Sequence, residues 1–236
     1  GTGIYTYIGG DISNNNVVSK SLIDENFIRN TTYTNVNGNG SLRLGSGYSK
    51  TIKLDTVRTL KLNIGLGLNT RRSNNFNNGT RYLAKNNSIS PNFGFTYTWK
   101  DILEIRPNYR VSFNTNKFDL DRFDNREFIT HNLGISTRTS VPKNLEWENQ
   151  INFNYNSNIA DGFQKSAWFW NSTISYSIMK DKGMITLKAY DLLNQNTNAR
   201  RISNENYIQD SQSTVLQQYF MIGFSYKFNT LGKAGE

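Results

Sequence analysis

The chain has 236 residues, 36% of them hydrophobic, with a formal net charge of +9 and a mean hydropathy of −0.62. No run in it approaches the roughly 18 apolar residues that a membrane helix needs, which excludes a helical membrane protein. It has no cysteine and one histidine, His131, which excludes thiolate chemistry, cysteine-bound zinc and a histidine-rich metal centre.

The remaining composition fits a strand-built protein. The 13 Tyr, 14 Phe and 4 Trp suit aromatic girdles at a membrane interface. About 35 asparagines, well above ordinary usage, gather between the apolar stretches, as in 74–78 and 194–198, where Asn supplies turn conformations. The cations are scattered and no folded nucleic-acid motif accompanies them, so nucleic acid is not expected as a partner and basic loops facing anionic lipid headgroups are.

In chain order, a first strand is predicted at Ile4–Gly10. Segments 17–22 and 27–33, around the turn-like Asp24, Glu25 and Asn26, read as a hairpin protruding from a long loop. A second spanning strand is predicted at 37–49, a turn at 50–57, and a strand at 60–68 with Leu60, Leu62, Ile64, Leu66 and Leu68 on one face. Residues 70–84 read as a polar loop. The strand at 88–99 puts Phe93, Phe95, Tyr97 and Trp99 opposite Asn92, Gly94, Thr96 and Thr98. The next, at 103–113, puts Ile105, Tyr109 and Val111 opposite Glu104, Arg106 and Arg110. Pro91 and Pro107 each remove a ladder donor, so bulges or offsets are expected there. A charged loop at 114–126 precedes a strand at 128–139. The strand at 145–155 sets Trp147, Ile151 and Phe153 against Glu146, Glu148 and Asn152. Strands at 168–178 and 184–190, a long loop at 191–217 and a closing strand at 218–228 complete about ten antiparallel strands. Short turns at 100–101, 141–144 and 180–182 alternate with long loops, as in outer-membrane barrels, where short turns are periplasmic and long loops extracellular.

The fold class is thus all-β, an antiparallel transmembrane β-barrel of up-and-down strands, located in the bacterial outer membrane. Residues 1–229 form the barrel segment and 230–236 a polar C-terminal tail. By parity the lumen-facing polar candidates are Glu104, Arg106, Arg110, Glu146 and Glu148, with Arg106 and Arg110 expected to complement Glu146 and Glu148 across the lumen. Asp119, Asp121 and Asp124 share one loop but depart from a calcium-binding pattern, with Asp124 where glycine and Thr130 where glutamate belong, and read as a solvated acidic stretch. No nucleophile–base pair stands out, so neither an enzyme nor a cofactor is expected.

Several motifs together resemble the C-terminus of the TonB-dependent-receptor-like outer-membrane β-barrel family: Tyr190–Asn196 (YDLLNQN), Asn206–Ile208 (NYI), and the ending at 218–220 (QYF) and 225–229 (SYKFN), with 33–38 (YTNVNG) and 157–163 (SNIADGF) upstream. The resemblance implies a barrel of the 22-strand type with an N-terminal plug, working in ligand uptake through its lumen and long extracellular loops. It also implies an assembly signal in the closing aromatics Phe224, Tyr226 and Phe228, read by the barrel-assembly machinery. The partners implied are outer-membrane lipid and lipopolysaccharide, that machinery, and upstream strands and a plug or a partner chain. A structural or assembly role without transport is the alternative. The chain enters a strand at Ile4–Ile8 almost at once, so the C-terminal part of a larger barrel is expected over a closed ten-stranded one.

Overall fold

The computed structural model describes residues 1–195, 198–203, 208–213 and 216–228, and among these there are strands and no helix. The strands are β1 (Thr2–Ser13), β2 (Asn16–Ile23), β3 (Arg29–Val36), β4 (Asn39–Lys53), β5 (Arg58–Asn77), β6 (Thr80–Trp99), β7 (Leu103–Phe118), β8 (Arg126–Thr139), β9 (Leu145–Asn156), β10 (Ser166–Ile178), β11 (Gly183–Tyr190), β12 (Asn198–Ser203), β13 (Ile208–Ser213) and β14 (Tyr219–Tyr226). Ten of them make one sheet in the order β1-β4-β5-β6-β7-β8-β9-β10-β11-β14, and the pairs β2-β3 and β12-β13 are separate hairpins. Every pairing is antiparallel. The sheet is not closed: β1 and β14 are its two edges.

Alternation converts directly into two chemically distinct faces, because a strand sends successive side chains to opposite sides. One cross-strand row runs Ile4, Tyr48, Ile64, Phe93, Tyr109, Leu133, Phe153 and Trp168. The adjacent row on the other face runs Tyr5, Gly47, Gly65, Asn92, Arg110, Asn132, Asn154 and Ala167. Leu62, Phe95, Ile151 and Ile174 share the apolar face; Asn63, Thr96, Asn152 and Thr173 share the polar one.

Four expectations change. Residues 70–84 are not a loop: the β5–β6 ladder continues to Asn77 and Thr80, closed by Asn78 (φ 44°) and Gly79 (φ 79°). Two successive residues in the left-handed region are what a two-residue hairpin turn requires, and Asn-Gly supplies them. Residues 50–57 are only partly a turn, since β4 runs on to Lys53. The loop 114–126 shrinks to 119–125, because β7 reaches Phe118 and β8 starts at Arg126. Pro91 and Pro107 cause no shift of register: pairing of β6 with β7 lapses beside them and resumes in step on both sides. Each proline withholds one donor without adding a residue, so the strands need not slip. The predicted loop at 191–217 holds the β12-β13 hairpin, and the tail at 230–236 lies outside the described residues.

A single spanning sheet has no interior of its own, and the buried residues bear this out. Val36, Tyr82 and Ala84, with the polar Ser21, Asn39, Asn74 and Asn77, lie toward the end of the sheet where β2-β3 and the β5–β6 tip project, and the buried Ala167 and Asp191 lie at the long-loop ends of β10 and β11. Elsewhere large apolar side chains stay open, Ile64 at 54% and Ile222 at 80%.

Candidate functional site

Two features of this sheet carry chemistry: a charged ladder on the polar face and a packed cap at the long-loop end.

The ladder follows from register. Thr98, Glu104, Arg138, Glu148, Thr173 and Lys188 stand side by side on β6 to β11. Arg138 binds two carboxylates at once, Nη2 to Glu146 Oε1 at 3.1 Å and Nε to Glu148 Oε1 at 3.0 Å. The Arg106 Nε lies 3.1 Å from Glu104 Oε1, its neighbour two residues earlier on the same face. Within the sheet Glu146 and Glu148 are bonded by Arg138 and not by Arg106 or Arg110. Arg138 sits one strand away, directly opposite Glu148, and a side chain reaches its cross-strand neighbour far more easily than one two strands off. Arg110 instead joins Arg106, Asn63, Asn92, Asn108 and Asn132 around a groove of about 640 Å³. Amides and guanidinium groups there offer many donors and two unneutralised or half-neutralised cations, a setting suited to a polar or anionic solute.

The cap is built from three connections. The β5–β6 tip meets β2, where Gly79 N–H donates to Ser21 O at 3.0 Å and Ile23 N–H donates to Asn78 Oδ1 at 3.0 Å. It also meets the 119–125 loop: Leu83 N–H donates to Asp119 Oδ1 at 2.6 Å and Arg122 Nη2 to Asn77 O at 2.6 Å. The Tyr82 ring packs 4.9 Å from Phe123 and 6.3 Å from Phe118. On the other face of the same hairpin the buried Asn74 donates from its N–H and Nδ2 to Asn39 Oδ1, at 2.7 and 2.8 Å, while its Oδ1 accepts from Arg81 Nη2 at 2.8 Å. Burial of amides is tolerated because each is hydrogen-bonded. Asp119 is thus a loop anchor, and among the described residues no three acidic or histidine side chains gather to hold a metal.

Neither Arg138 nor Tyr82 stands out from sequence alone. The signal for the cap was Asn78–Gly79, which marks a hairpin tip between two polar strands.

The closing aromatics lie at the β14 edge. Phe224 and Tyr226 are on the apolar face opposite Ile185 and Gly183, and Phe228, just past the strand, sets its ring 4.8 Å from that of Tyr226. His131 also belongs to the apolar face, with its Nδ1 2.6 Å from the Tyr109 hydroxyl and its ring between Tyr109 and Tyr155.

An antiparallel sheet with one apolar and one polar face, short turns at one end and projecting hairpins at the other, defines a barrel-wall protein of the membrane-spanning β class. Residues 78–226 match the outer membrane protein beta-barrel family, and the chain belongs to that family. Comparison with characterised proteins and with solved structures yields no match.

Proposed function

We propose that the chain forms part of the wall of a wide barrel in the bacterial outer membrane. Its polar face lines a lumen, and its cap helps receive a ligand for uptake, in the manner of TonB-dependent receptors. The observation that carries this is the open sheet. Edge backbone groups left unpaired in hydrocarbon cost several kcal/mol each, so β1 and β14 need partners. Additional strands of the same protein, or of a partner chain, satisfy both edges and enclose a lumen wide enough for solute. Glu104, Arg106, Arg110, Glu146 and Glu148 then face water, where charge on a wall is cheap and selects solutes. No catalytic role is assigned, and the barrel-assembly machinery and outer-membrane lipid are the partners of this reading.

Thr6→Cys and Ile222→Cys, in the two edge strands, test it in native membranes. The cysteines should not crosslink to each other within one chain. A β1–β14 disulfide would establish a closed ten-stranded barrel and remove the wide lumen. Loss of ligand uptake on Arg106→Ala plus Arg110→Ala, at unchanged surface amount, separates transport from the second reading. That reading is a structural or assembly component, and the aromatic edge β14, with Phe220 at 62% and Phe228 at 77% exposure, favours it.

A further inference from the structure

On the apolar face, the last apolar row toward the long-loop end is Leu68, Ile89, Phe113 and Ile129. One step further lies Thr70, Asn87, Thr115 and Glu127, and one step beyond that Arg72, Lys85 and Lys117, directly opposite one another on β5, β6 and β7. All three are exposed, and among the described residues none forms an ion pair. Neighbouring strands are about 5 Å apart, so three like charges stand shoulder to shoulder, an arrangement that is destabilising on its own. Two carboxylates flank the row on this face, Glu127 one row lower on β8 and Asp119 one row higher, where its Oδ1 accepts from Leu83 N–H; among the described residues neither makes an ion pair with Arg72, Lys85 or Lys117. At the short-turn end the outward cation Arg58 is treated differently, with its Nη2 2.6 Å from Asp55 Oδ2.

We propose that Arg72, Lys85 and Lys117 form a binding site for the phosphorylated headgroup of an outer-leaflet glycolipid, whose acyl chains lie along the apolar rows below. The inference rests on the outer-membrane reading above. Charge and continuity commit it to a lipid. The cations share the face and the strands of Ile89 and Phe113, so an anion seated on them is joined to the hydrocarbon layer two residue steps away. A charge-assisted contact to phosphate also removes the mutual repulsion of the row.

The test uses the full-length protein extracted from outer membranes in mild non-ionic detergent, with retained phosphorylated glycolipid measured per chain. Replacing the row (R72Q, K85Q, K117Q) should lower retention at least about tenfold, since each cation near an anionic lipid surface contributes appreciably. The charge-conserving set (R72K, K85R, K117R) should retain the lipid. So should Arg43→Gln with Arg71→Gln, at the same end on the opposite face. Excess inorganic phosphate should not displace it. Undiminished retention by the glutamine set, present in the outer membrane with normal heat-modifiable mobility, overturns the site and leaves the outer-membrane reading standing. Displacement by inorganic phosphate alone also overturns it, as a free-anion site. A wild-type chain absent from the outer-membrane fraction overturns both.

Discussion

At the scale of single residues, parity governs consequences. Ile151 and Asn152 are neighbours in sequence, yet Ile151 stands beside Ile135 and Trp170 while Asn152 stands beside Gly134 and Phe169. Ile151→Arg should destabilise the folded protein by about 2–4 kcal/mol, because the charge meets hydrocarbon, and Asn152→Arg by about 1 kcal/mol or less. Urea unfolding in lipid vesicles checks this, and equal costs would reverse or erase the assignment of faces. The Arg138 pairs are half-exposed, so each is worth only about 0.2–1 kcal/mol. Arg138→Gln should show that small loss plus a coupling to Glu148→Gln in a double-mutant cycle; strict additivity would mean the bridge is not made in solution. Gly45 and Gly47 have another role, since the rings of Tyr7 and Tyr5 on β1 lie across them where a Cβ would stand. Gly47→Val should therefore weaken attachment of β1, seen as faster hydrogen exchange in β1 than in β8.

At the scale of elements, β5 and β6 are the informative pair. Each has 20 residues, whereas a spanning strand needs roughly ten, so about half of the hairpin stands outside the bilayer. That half is held by the cap, with Tyr82 at 2% exposure between Phe118 and Phe123. Tyr82→Ala removes the filling of this small core, a change of the kind that costs about 3–5 kcal/mol in a protein interior. The effect should stay local, with limited proteolysis cutting at 119–125 while the spanning sheet keeps its heat-modifiable mobility. Loss of insertion instead would show that the cap is required for the barrel to form. The turn on the opposite side is held by a different device: Val57 N–H and the Arg58 guanidinium keep the Asp55 carboxyl below the ordinary carboxylate range. A lowered value means this support is full above the unfolded carboxylate range and fades as pH falls through the folded one.

At the scale of the molecule, the question is how the two edges are satisfied. Phe224, Tyr226 and Phe228 cluster at the β14 edge, where an assembly factor or a joining strand would make first contact. Phe228→Ala should reduce the amount of protein inserted in the outer membrane without altering the stability of what is inserted. Pulse-chase fractionation measures the first and urea unfolding of the inserted pool the second. Unchanged insertion would place the signal elsewhere in the chain.

Local pattern determined the strands, their number in the sheet and which side chains share a face, because period-two alternation is a property of consecutive residues and needs no neighbour to be read. Leu62 with Phe95, or Trp147 with Ile174, pair across strands as their parity demanded. Where strands end was less legible. Residues 70–84 are polar, and polarity outside a bilayer does not distinguish a loop from a hairpin that has left the membrane. Only the β5–β6 ladder and its contacts with β2 and the 119–125 loop decided it. Partners across the sheet were also beyond the sequence. Glu148 meets Arg138 and not Arg106 because the register of β8 with β9, set by the connection at 140–144, chooses which cation lies one strand away. The row of Arg72, Lys85 and Lys117 has the same origin: three cations scattered along 46 positions become adjacent only when β5, β6 and β7 are laid side by side.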